Sequence, residues 1–259
     1  MANAMKYIDL NADLGESFGP WNMGADKAML DIVNSANIAC GVHAGDASVM
    51  FETIKMATAR GVTIGAHPGF DDKQGFGRRR IPLSMTEVEQ LIAAQVGAIK
   101  GIAALSGATV SYVKPHGALN NWACENADVA NAIARAMAAS CPELAMLAVS
   151  GTELEKASRK GGIKTYAEVF ADRGYGDDGN LVARGQAGAM ITDATQAADR
   201  LIQFFETGDM PTVTGGTVRL AADSICIHGD SAHAVEMAVQ LRDSLVTHGF
   251  SLCSFIRVD

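Results

Sequence analysis

Polar and apolar side chains alternate along residues 7–16, which read Y-I-D-L-N-A-D-L-G-E. Asp9, Asn11 and Asp13 are spaced two apart, so an extended strand would point all three to one face and the intervening apolar residues to the other. If this strand belongs to a parallel barrel, its polar row lines the interior near the mouth, and Glu16 follows just beyond the strand. The alternative is an amphipathic edge strand whose acids are solvated.

Beyond this strand, the hydrophobic pattern switches repeatedly between strand-like and helix-like spacing. It predicts further strands at 37–40, 62–66, 109–113, 144–149, 163–169, 218–220, 224–228 and 250–255. It predicts helices at 25–33, 47–60, 84–105, 127–139, 153–159, 195–206 and 232–245, with capping boxes at 84–87 and 150–153. Alternating strands and helices without an internal repeat indicate parallel strands joined by crossover helices.

This order predicts an α/β fold, a single (β/α) barrel of about seven parallel strands that spans residues 1–259. The chain has no G-x-x-x-x-G-K-[ST] phosphate-binding loop, and we therefore favour the barrel over a doubly wound open sheet. Residues 1–4 precede a second methionine, Met5, and we expect them to be an extension that is non-native or disordered.

Composition narrows the functional classes. With 48% hydrophobic and 19% charged residues, the chain can bury a sizeable core and has too little charge for disorder. A net charge of −8 and a pI near 5.2 argue against nucleic-acid and anionic-membrane partners. The five cysteines are scattered and form no C-x-x-C pair, and no signal peptide or membrane span is evident. This usage is typical of reduced thiols and predicts a cytoplasmic location.

Four of the six histidines occupy the same place in the predicted barrel. His43, His67, His116 and His228 each lie at, or just after, the carboxyl end of a strand, and those ends converge on the face where barrel enzymes build their sites. Any one of them alone would more often be a hydrogen-bonded structural histidine. Together, with the polar residues beside them, they favour a catalytic role.

Two kinds of chemistry fit this mouth of acids, imidazoles and a lysine. It can bind a divalent metal ion and activate water, or it can carry out metal-free acid/base work with a cation stabilising an oxyanion. The chain contains no H-E-x-x-H and no H-x-H, so the sequence signal for a metal is weak. A metal therefore stays an open alternative.

Eight polar motifs make the sequence specific enough to name a family. They are D-L-N-A-D-L-G-E at 9–16, N-I-A-C-G-V-H-A-G-D at 37–46, A-H-P-G at 66–69, G-F-G-R-R at 75–79, V-K-P-H-G-A-L at 113–119, E-V-F-A-D-R-x-Y at 168–175, D-G-x-L-x-x-R at 178–184 and I-C-I-H-G-D at 225–230. In this order and over essentially the whole chain, they resemble the LamB/YcsF family.

The resemblance implies a seven-stranded barrel similar to the glycoside hydrolase/deacetylase barrels. It also implies a component of ATP-dependent 5-oxoprolinase, which hydrolyses the cyclic amide 5-oxoproline to L-glutamate together with subunits B and C. ATP would then be a substrate used with those partners, which fits the absence of a phosphate-binding loop from this chain. In the scheme that we expect, the partners phosphorylate the lactam oxygen and this chain adds water to the activated carbon.

Chemistry suggests roles within this scheme. The expected catalytic residues are Asp13, Glu16, His43, His67, Lys114, His116, Glu168, Asp172 and His228, with Asp13 or Glu16 as the base for water. The expected substrate-binding residues are Asp9, Asn11, Asp46, Arg78, Arg79, Arg173, Arg184 and Asp230. If a metal is bound, its candidate ligands are Asp13, His43, His67 and His116. For the arginines at 78 and 79, a solvated loop is an equal alternative.

Two other functions remain open. The first is a metal-dependent deacetylase or other amide hydrolase acting on a carbohydrate, which would lose activity with a chelator. The second is a non-catalytic, lactam-binding scaffold protein, for which replacing His116 or Asp13 would leave turnover intact.

Overall fold

The computed structural model describes residues 6–228 and 234–256. Its strands are β1 (Lys6–Leu14), β2 (Ser35–Ala39), β3 (Thr63–His67), β4 (Val110–Val113), β5 (Ala145–Val149), β6 (Thr165–Phe170), β7 (Asp209–Pro211), β8 (Thr217–Arg219), β9 (Ser224–Ile227) and β10 (Phe250–Leu252). Seven of these described strands, β1 to β6 and β9, run parallel and close into a barrel, because β9 pairs with both β6 and β1. The predicted barrel of about seven parallel strands is confirmed.

The helices form a layer outside this barrel. They are α1 (Asp26–Leu30), α2 (Ala47–Thr58), α3 (Met85–Leu105), α4 (Gly117–Glu125), α5 (Ala127–Ser140), α6 (Glu153–Lys160), α7 (Ala194–Thr207) and α8 (Ala234–Thr247). Side chains start two of them as the sequence predicts. Asp46 accepts hydrogen bonds from the backbone at the start of α2, and Ser84 and Glu87 form the capping box of α3.

β1 lies inside the sheet, between β2 and β9, so the alternative of a solvated edge strand is wrong. Its apolar residues join the hydrophobic core, while Asp9 and Asn11 are completely buried within the barrel. Asn11 donates to Glu168 Oε1 at 2.9 Å and to Ser224 Oγ at 2.7 Å. The interior of the barrel therefore contains a polar hydrogen-bonded network, which satisfies side chains that burial would otherwise destabilise.

Three local predictions differ from the structure. Helix α4 begins within the K-P-H-G-A-L motif, at Gly117, and the sequence does not predict it, because no side chain caps its start and its first residue is glycine. The predicted capping box at 150–153 does not form: Ser150 Oγ accepts from the backbone of Ala221, and α6 begins only at Glu153. The last predicted strand is shorter, and as β10 it pairs with the start of β1 outside the barrel closure.

Among the described residues, α3 is the one helix whose length and composition alone would allow it to span a membrane. Its apolar positions have another explanation in this fold. Val88, Ile92, Val96 and Ile99 are buried in the core, and the helix packs against α5, β3 and β4. It therefore serves as a layer helix of the barrel.

Candidate active site

The carboxyl ends of the barrel strands surround a cavity of about 320 Å³. Parallel strands of a barrel all end on one face, so the segments that follow them bring together residues from distant parts of the chain. The charged and imidazole side chains that line the cavity are Asp13, Glu16, His67, Arg78, Lys114, His116, Arg173, Arg184 and His228.

Lys114 lies at the floor of this cavity and is 3% exposed. Its Nζ is 3.0 Å from Asp13 Oδ1 and 3.1 Å from Glu168 Oε1, and it also contacts Cys226 Sγ at 3.0 Å. Asn37 donates a further hydrogen bond to Asp13 Oδ1 at 2.8 Å. One ammonium group thus holds two buried carboxylates in place, which is the pairing that buried charges require.

The protonation states at the floor follow from these contacts. Burial alone would raise the pKa of Asp13, but His67 and Lys114 outweigh it and hold that pKa well below its usual range. Burial would lower the pKa of Lys114, but Asp13, Cys226 and Glu168 raise it well above its usual range. Burial raises the pKa of Glu168, and Lys114 acts in the opposite direction. At neutral pH the floor therefore presents an Asp13 carboxylate beside a lysine ammonium.

His67 and His116 are in direct contact above this floor, with His67 Nε2 and His116 Nδ1 separated by 3.0 Å. The other nitrogen of each ring contacts a backbone carbonyl. His67 Nδ1 is 2.7 Å from the carbonyl oxygen of Lys114, and His116 Nε2 is 2.8 Å from that of Phe76. Because a carbonyl oxygen only accepts, both of these outer nitrogens carry hydrogens. The two inner nitrogens face one another and Asp13 Oδ2, which is 3.3 Å from His67 Nε2.

His43 stacks on His116 with a distance of 3.8 Å between the ring centroids and an angle of 5° between the planes. It is 1% exposed, and neither of its ring nitrogens has a hydrogen-bond partner within the described residues. Burial, followed by the charges of His116 and His67, lowers the pKa of His43 well below its usual range. Burial also lowers the pKa of His116 to about 3, with His67 acting in the same direction. Both stacked rings are therefore neutral.

Gly77 allows the loop after β3 to approach this stack. Its φ is +62°, and a Cβ placed there would lie 2.8 Å from His43 Cβ and 2.9 Å from His116 Cδ2. A side chain at this position would therefore be strained and would push against both rings.

On the opposite side of the cavity, His228 pairs with Asp172 through a contact of 2.8 Å between Nδ1 and Oδ2. Burial alone would raise the pKa of Asp172, but His228 and then Arg173 lower it. The His228 ring lies against Phe170, with 5.4 Å between the ring centroids. This carboxylate and imidazole pair can hold and deliver a proton at the cavity wall.

A long loop, residues 171–193, closes this side of the mouth. Arg200 of α7 holds its start, because its guanidinium donates to the carbonyl oxygens of Phe170, Ala171 and Arg173 at 2.7 to 2.9 Å. Residues 174–179 match the pattern G-x-G-x-x-G, but they lie within this loop and the next helix begins only at residue 194. They therefore do not form the strand–turn–helix that a dinucleotide fingerprint requires.

A model described as the LamB/YcsF family matches residues 8–259, which include nearly all of the barrel and its site. The chain belongs to the LamB/YcsF family. Among its relatives, the A subunit of 5-oxoprolinase from Rhodopseudomonas palustris (strain BisA53) is 48% identical over 254 residues, covering 98% of this chain and 100% of that protein. The resemblance seen in the eight motifs is thereby confirmed.

Two solved structures extend the comparison of this LamB/YcsF chain. A lactam utilization protein from Thermus thermophilus is 39% identical with a TM-score of 0.89, covering 95% of this chain and 99% of that one. A putative cellobiose-phosphate cleavage protein from Enterococcus faecalis has a TM-score of 0.60 at 11% identity, covering 97% and 98% of the two chains. At that low identity, the second likeness shows a shared fold alone.

The LamB/YcsF barrel gathers the residues that we expected to be catalytic. Those that line the cavity are Asp13, Glu16, His67, Lys114, His116 and His228. The remaining three, His43, Glu168 and Asp172, lie directly behind and contact lining residues. Their catalytic roles stay predictions, and the structure shows that they are close together.

The residues that we expected to bind substrate divide into two groups. Arg78, Arg173 and Arg184 line the cavity. The placement of the others is corrected: Asp9 and Asn11 are buried below it, Asp46 caps α2, and Arg79 pairs with Asp72 on the outer side of its loop. Asp9 and Asn11 miss the mouth because β1 extends below it, and only Asp13 is near the strand end. Asp230 lies outside the described residues.

Sequence reasoning did not identify several residues that shape the site. Asn120 and Asn121 line the cavity at the start of α4, Cys226 contacts Lys114, and Asn37 holds Asp13. The two asparagines directly continue the K-P-H-G-A-L motif, so a longer motif would have included them. Nothing in the spacing of Asn37 or Cys226 distinguishes them from other strand residues.

Proposed function

We propose that this protein is the lactam-opening component of an ATP-dependent 5-oxoprolinase and acts together with subunits B and C. The names of its relatives suggest a role in such an enzyme, and the lactam utilization protein of similar structure is consistent with it. The partners would use ATP to phosphorylate the lactam oxygen. This chain would then add water to the activated carbon and open the ring.

The observation that carries the proposal is the charge arrangement of the cavity. Its floor holds the Asp13 carboxylate between Lys114 and His67, and three arginines lie around its walls. A phosphorylated 5-oxoproline carries a carboxylate and a phosphate, which guanidinium groups bind well. A volume of about 320 Å³ suits one small molecule.

Water adds to the ring carbon that bears the phosphorylated oxygen. The product is a tetrahedral carbon bonded to the ring nitrogen, a hydroxyl and the phosphate oxygen. If the phosphate left first, the lactam would simply re-form and ATP would be wasted. Productive collapse therefore breaks the bond from carbon to nitrogen, which requires a proton on that nitrogen. The resulting acyl phosphate then reacts with a second water to give glutamate and phosphate. The site must thus provide a base for water and an acid for the ring nitrogen.

Two groups suit these tasks. His67 and Lys114 hold the pKa of Asp13 well below its usual range, and this makes Asp13 a poor proton acceptor. Glu16 lines the same cavity and is the better candidate for the base. His228, paired with Asp172, is the candidate acid for the ring nitrogen, while Lys114 and His116 would stabilise the charge of the intermediate.

The proposal is tested by glutamate and phosphate release from 5-oxoproline and ATP, with the purified chain assayed alone and with subunits B and C. Asp13→Asn and His228→Gln should form the complex and lose glutamate release by at least about 100-fold, the usual scale of one acid/base or electrostatic group. His228→Gln should also uncouple the reaction, so that ATP is hydrolysed without ring opening. His248→Gln, on the exposed end of α8, is the matched control.

Two outcomes would replace this proposal. If the two variants support wild-type turnover, the chain is a lactam-binding scaffold and its partners do the chemistry. If the chain alone deacetylates a carbohydrate and releases no glutamate with the partners, it is an amide hydrolase of another class.

A further inference from the structure

The contact between His67 Nε2 and His116 Nδ1 raises the question of which positive group lies between the two nitrogens. His116 donates from Nε2 to the carbonyl oxygen of Phe76, so in this tautomer its Nδ1 presents a lone pair to His67. The hydrogen of His67 on Nδ1 leaves Nε2 with either a lone pair or a second hydrogen. At 3.0 Å, two lone pairs would repel one another, so a positive species belongs between these nitrogens and Asp13 Oδ2.

We propose that this positive species is a divalent transition-metal ion of the zinc class, bound by His67 and His116 together with carboxylate groups of Asp13 and Glu16, with His43 beside it. One ligand atom from each of Glu16, His43, His67 and His116 lies within 4.8 Å of the others. These residues follow β1, β2, β3 and β4, so four successive strand ends contribute to one site.

The distances fit such an ion. Ligand atoms about 2.0–2.2 Å from a common ion lie roughly 3.0–3.5 Å apart in octahedral or tetrahedral geometry. The separations of 3.0 Å between the two inner nitrogens and 3.3 Å from His67 Nε2 to Asp13 Oδ2 are in this range. A set rich in imidazole nitrogen favours zinc, cobalt, nickel or iron over magnesium and calcium.

The hydrogen bonds on the outer sides of the His67 and His116 rings are also those expected of metal ligands. Histidines that bind a metal almost always donate their other ring hydrogen to a carbonyl or carboxylate, which fixes the tautomer and orients the ring. His67 does this to Lys114 and His116 does it to Phe76, so each ring directs its other nitrogen into the cluster.

His43 supplies an independent observation. Its ring is buried, it lies against His116, and both of its nitrogens are without a partner in the described part of the chain. A buried imidazole in this state is exceptional, because buried polar groups are normally satisfied. A water molecule bound to that ion would give His43 its missing partner.

This inference goes beyond the proposed function and changes one role in it, because Glu16 would bind the ion instead of acting as the base. A bound ion would act as a Lewis acid and lower the pKa of water. The residues of this chain would hold the ion, while Lys114 and the arginines would still bind the anionic parts of a substrate.

The test uses the full-length, untagged chain, first freed of metals with a chelator and then titrated with Zn²⁺ by calorimetry. Elemental analysis after desalting gives the number of ions per chain. We expect one Zn²⁺ per chain and no measurable binding of Mg²⁺ at the same concentration. Titration with Co²⁺ should give the visible absorption bands of a nitrogen- and oxygen-coordinated ion, a readout that needs no enzyme activity.

Variants locate the ion. His116→Gln and Glu16→Gln should each weaken Zn²⁺ binding, His116→Gln by more than about 100-fold, because loss of an outer partner alone costs 10–100-fold. His248→Gln, at an exposed position after α8, is the matched control outside the cluster and should bind as wild type. Circular dichroism of the metal-free variants checks that they fold.

The inference is overturned if the wild-type chain binds no Zn²⁺, or if the cluster variants and the control bind it equally. If Zn²⁺ binds but the complete complex releases no glutamate, the metal site stands and the proposed function fails. If the complete complex releases glutamate with a chain that binds no ion, the proposed function stands and the metal site fails.

Discussion

Asp9 is a buried acid in the first half of β1, and replacing it with asparagine should change how the stability of the protein depends on pH. It is 0% exposed, accepts a hydrogen bond from Ser35 Oγ at 2.6 Å and is also bonded to Ser224 Oγ. Burial raises the pKa of Asp9 to about 7, although the two hydroxyls act in the opposite direction and Glu168 adds to the rise. The folded protein therefore holds this proton to a higher pH than the unfolded chain does.

The direction and size of this pH effect on stability follow from the linkage between proton binding and folding. Because the folded-state pKa is raised, the stability that Asp9 contributes is complete below the unfolded pKa of about 4 and is lost as the pH rises through about 7. Between pH 5 and pH 8, a shift of this size removes roughly 2–3 kcal/mol from the free energy of unfolding. The asparagine amide has no such proton to lose. The difference in stability between Asp9→Asn and wild type should therefore rise by that amount over this range.

Chemical unfolding at pH 5, 6, 7 and 8, followed by both fluorescence and circular dichroism, measures this difference. Any constant effect of the asparagine on the hydrogen bonds cancels when the pH values are compared, and so do the other titrating groups that both proteins share. Asp199→Asn, at an exposed position of α7, is the control and should run parallel to wild type. Parallel curves for Asp9→Asn as well would refute the reasoning, because Asp9 would then be ionised throughout.

Two further predictions concern the charged floor and the histidine stack. Lys114→Met should lower the free energy of unfolding by about 3–5 kcal/mol, because it leaves two buried carboxylates without their cation. Adding Glu168→Gln in the same chain should recover part of this loss. No recovery in the double variant would contradict the pairing. Gly77→Ala should shift the resonances of His43 and His116 in NMR spectra and lower Tm, because the new methyl group meets both rings at a strained φ; unchanged ring resonances would show that the loop relaxes instead.

Much of the fold could be predicted from the sequence, because each strand of the barrel has its own local signal. The alternation in β1, the β-branched run of β3 and the capping box of α3 all predict the correct element at nearly the correct residues. The convergence of four histidines also follows from topology, because every parallel strand of a barrel ends on the same face. That prediction needs only the positions of the strand ends.

The depth of each side chain in the barrel could not be predicted in this way. Asp9 and Asp13 have the same residue type and face in the sequence, but one is below the cavity and the other lines it. Arg78 and Arg79 are neighbours, and only Arg78 faces the cavity, because Arg79 is paired with Asp72. Such differences depend on where the mouth lies along each strand and on partners far away in the chain. The spacing of polar and apolar residues contains neither kind of information.

The polar residues of β1 place negative charge at the mouth and keep it away from the rest of the interior. Asp9, among hydroxyls, retains its proton to about pH 7, and Asn11 is neutral and links Ser224 to Glu168. Asp13 is the anion at the top of this row, where it pairs with the Lys114 ammonium. Glu168 adds to the rise in the pKa of Asp9, because two buried anions near one another repel. The proton on Asp9 removes this repulsion, so the same strand can carry a buried polar row and still present the ionised carboxylate of Asp13 to Lys114 at the floor of the cavity.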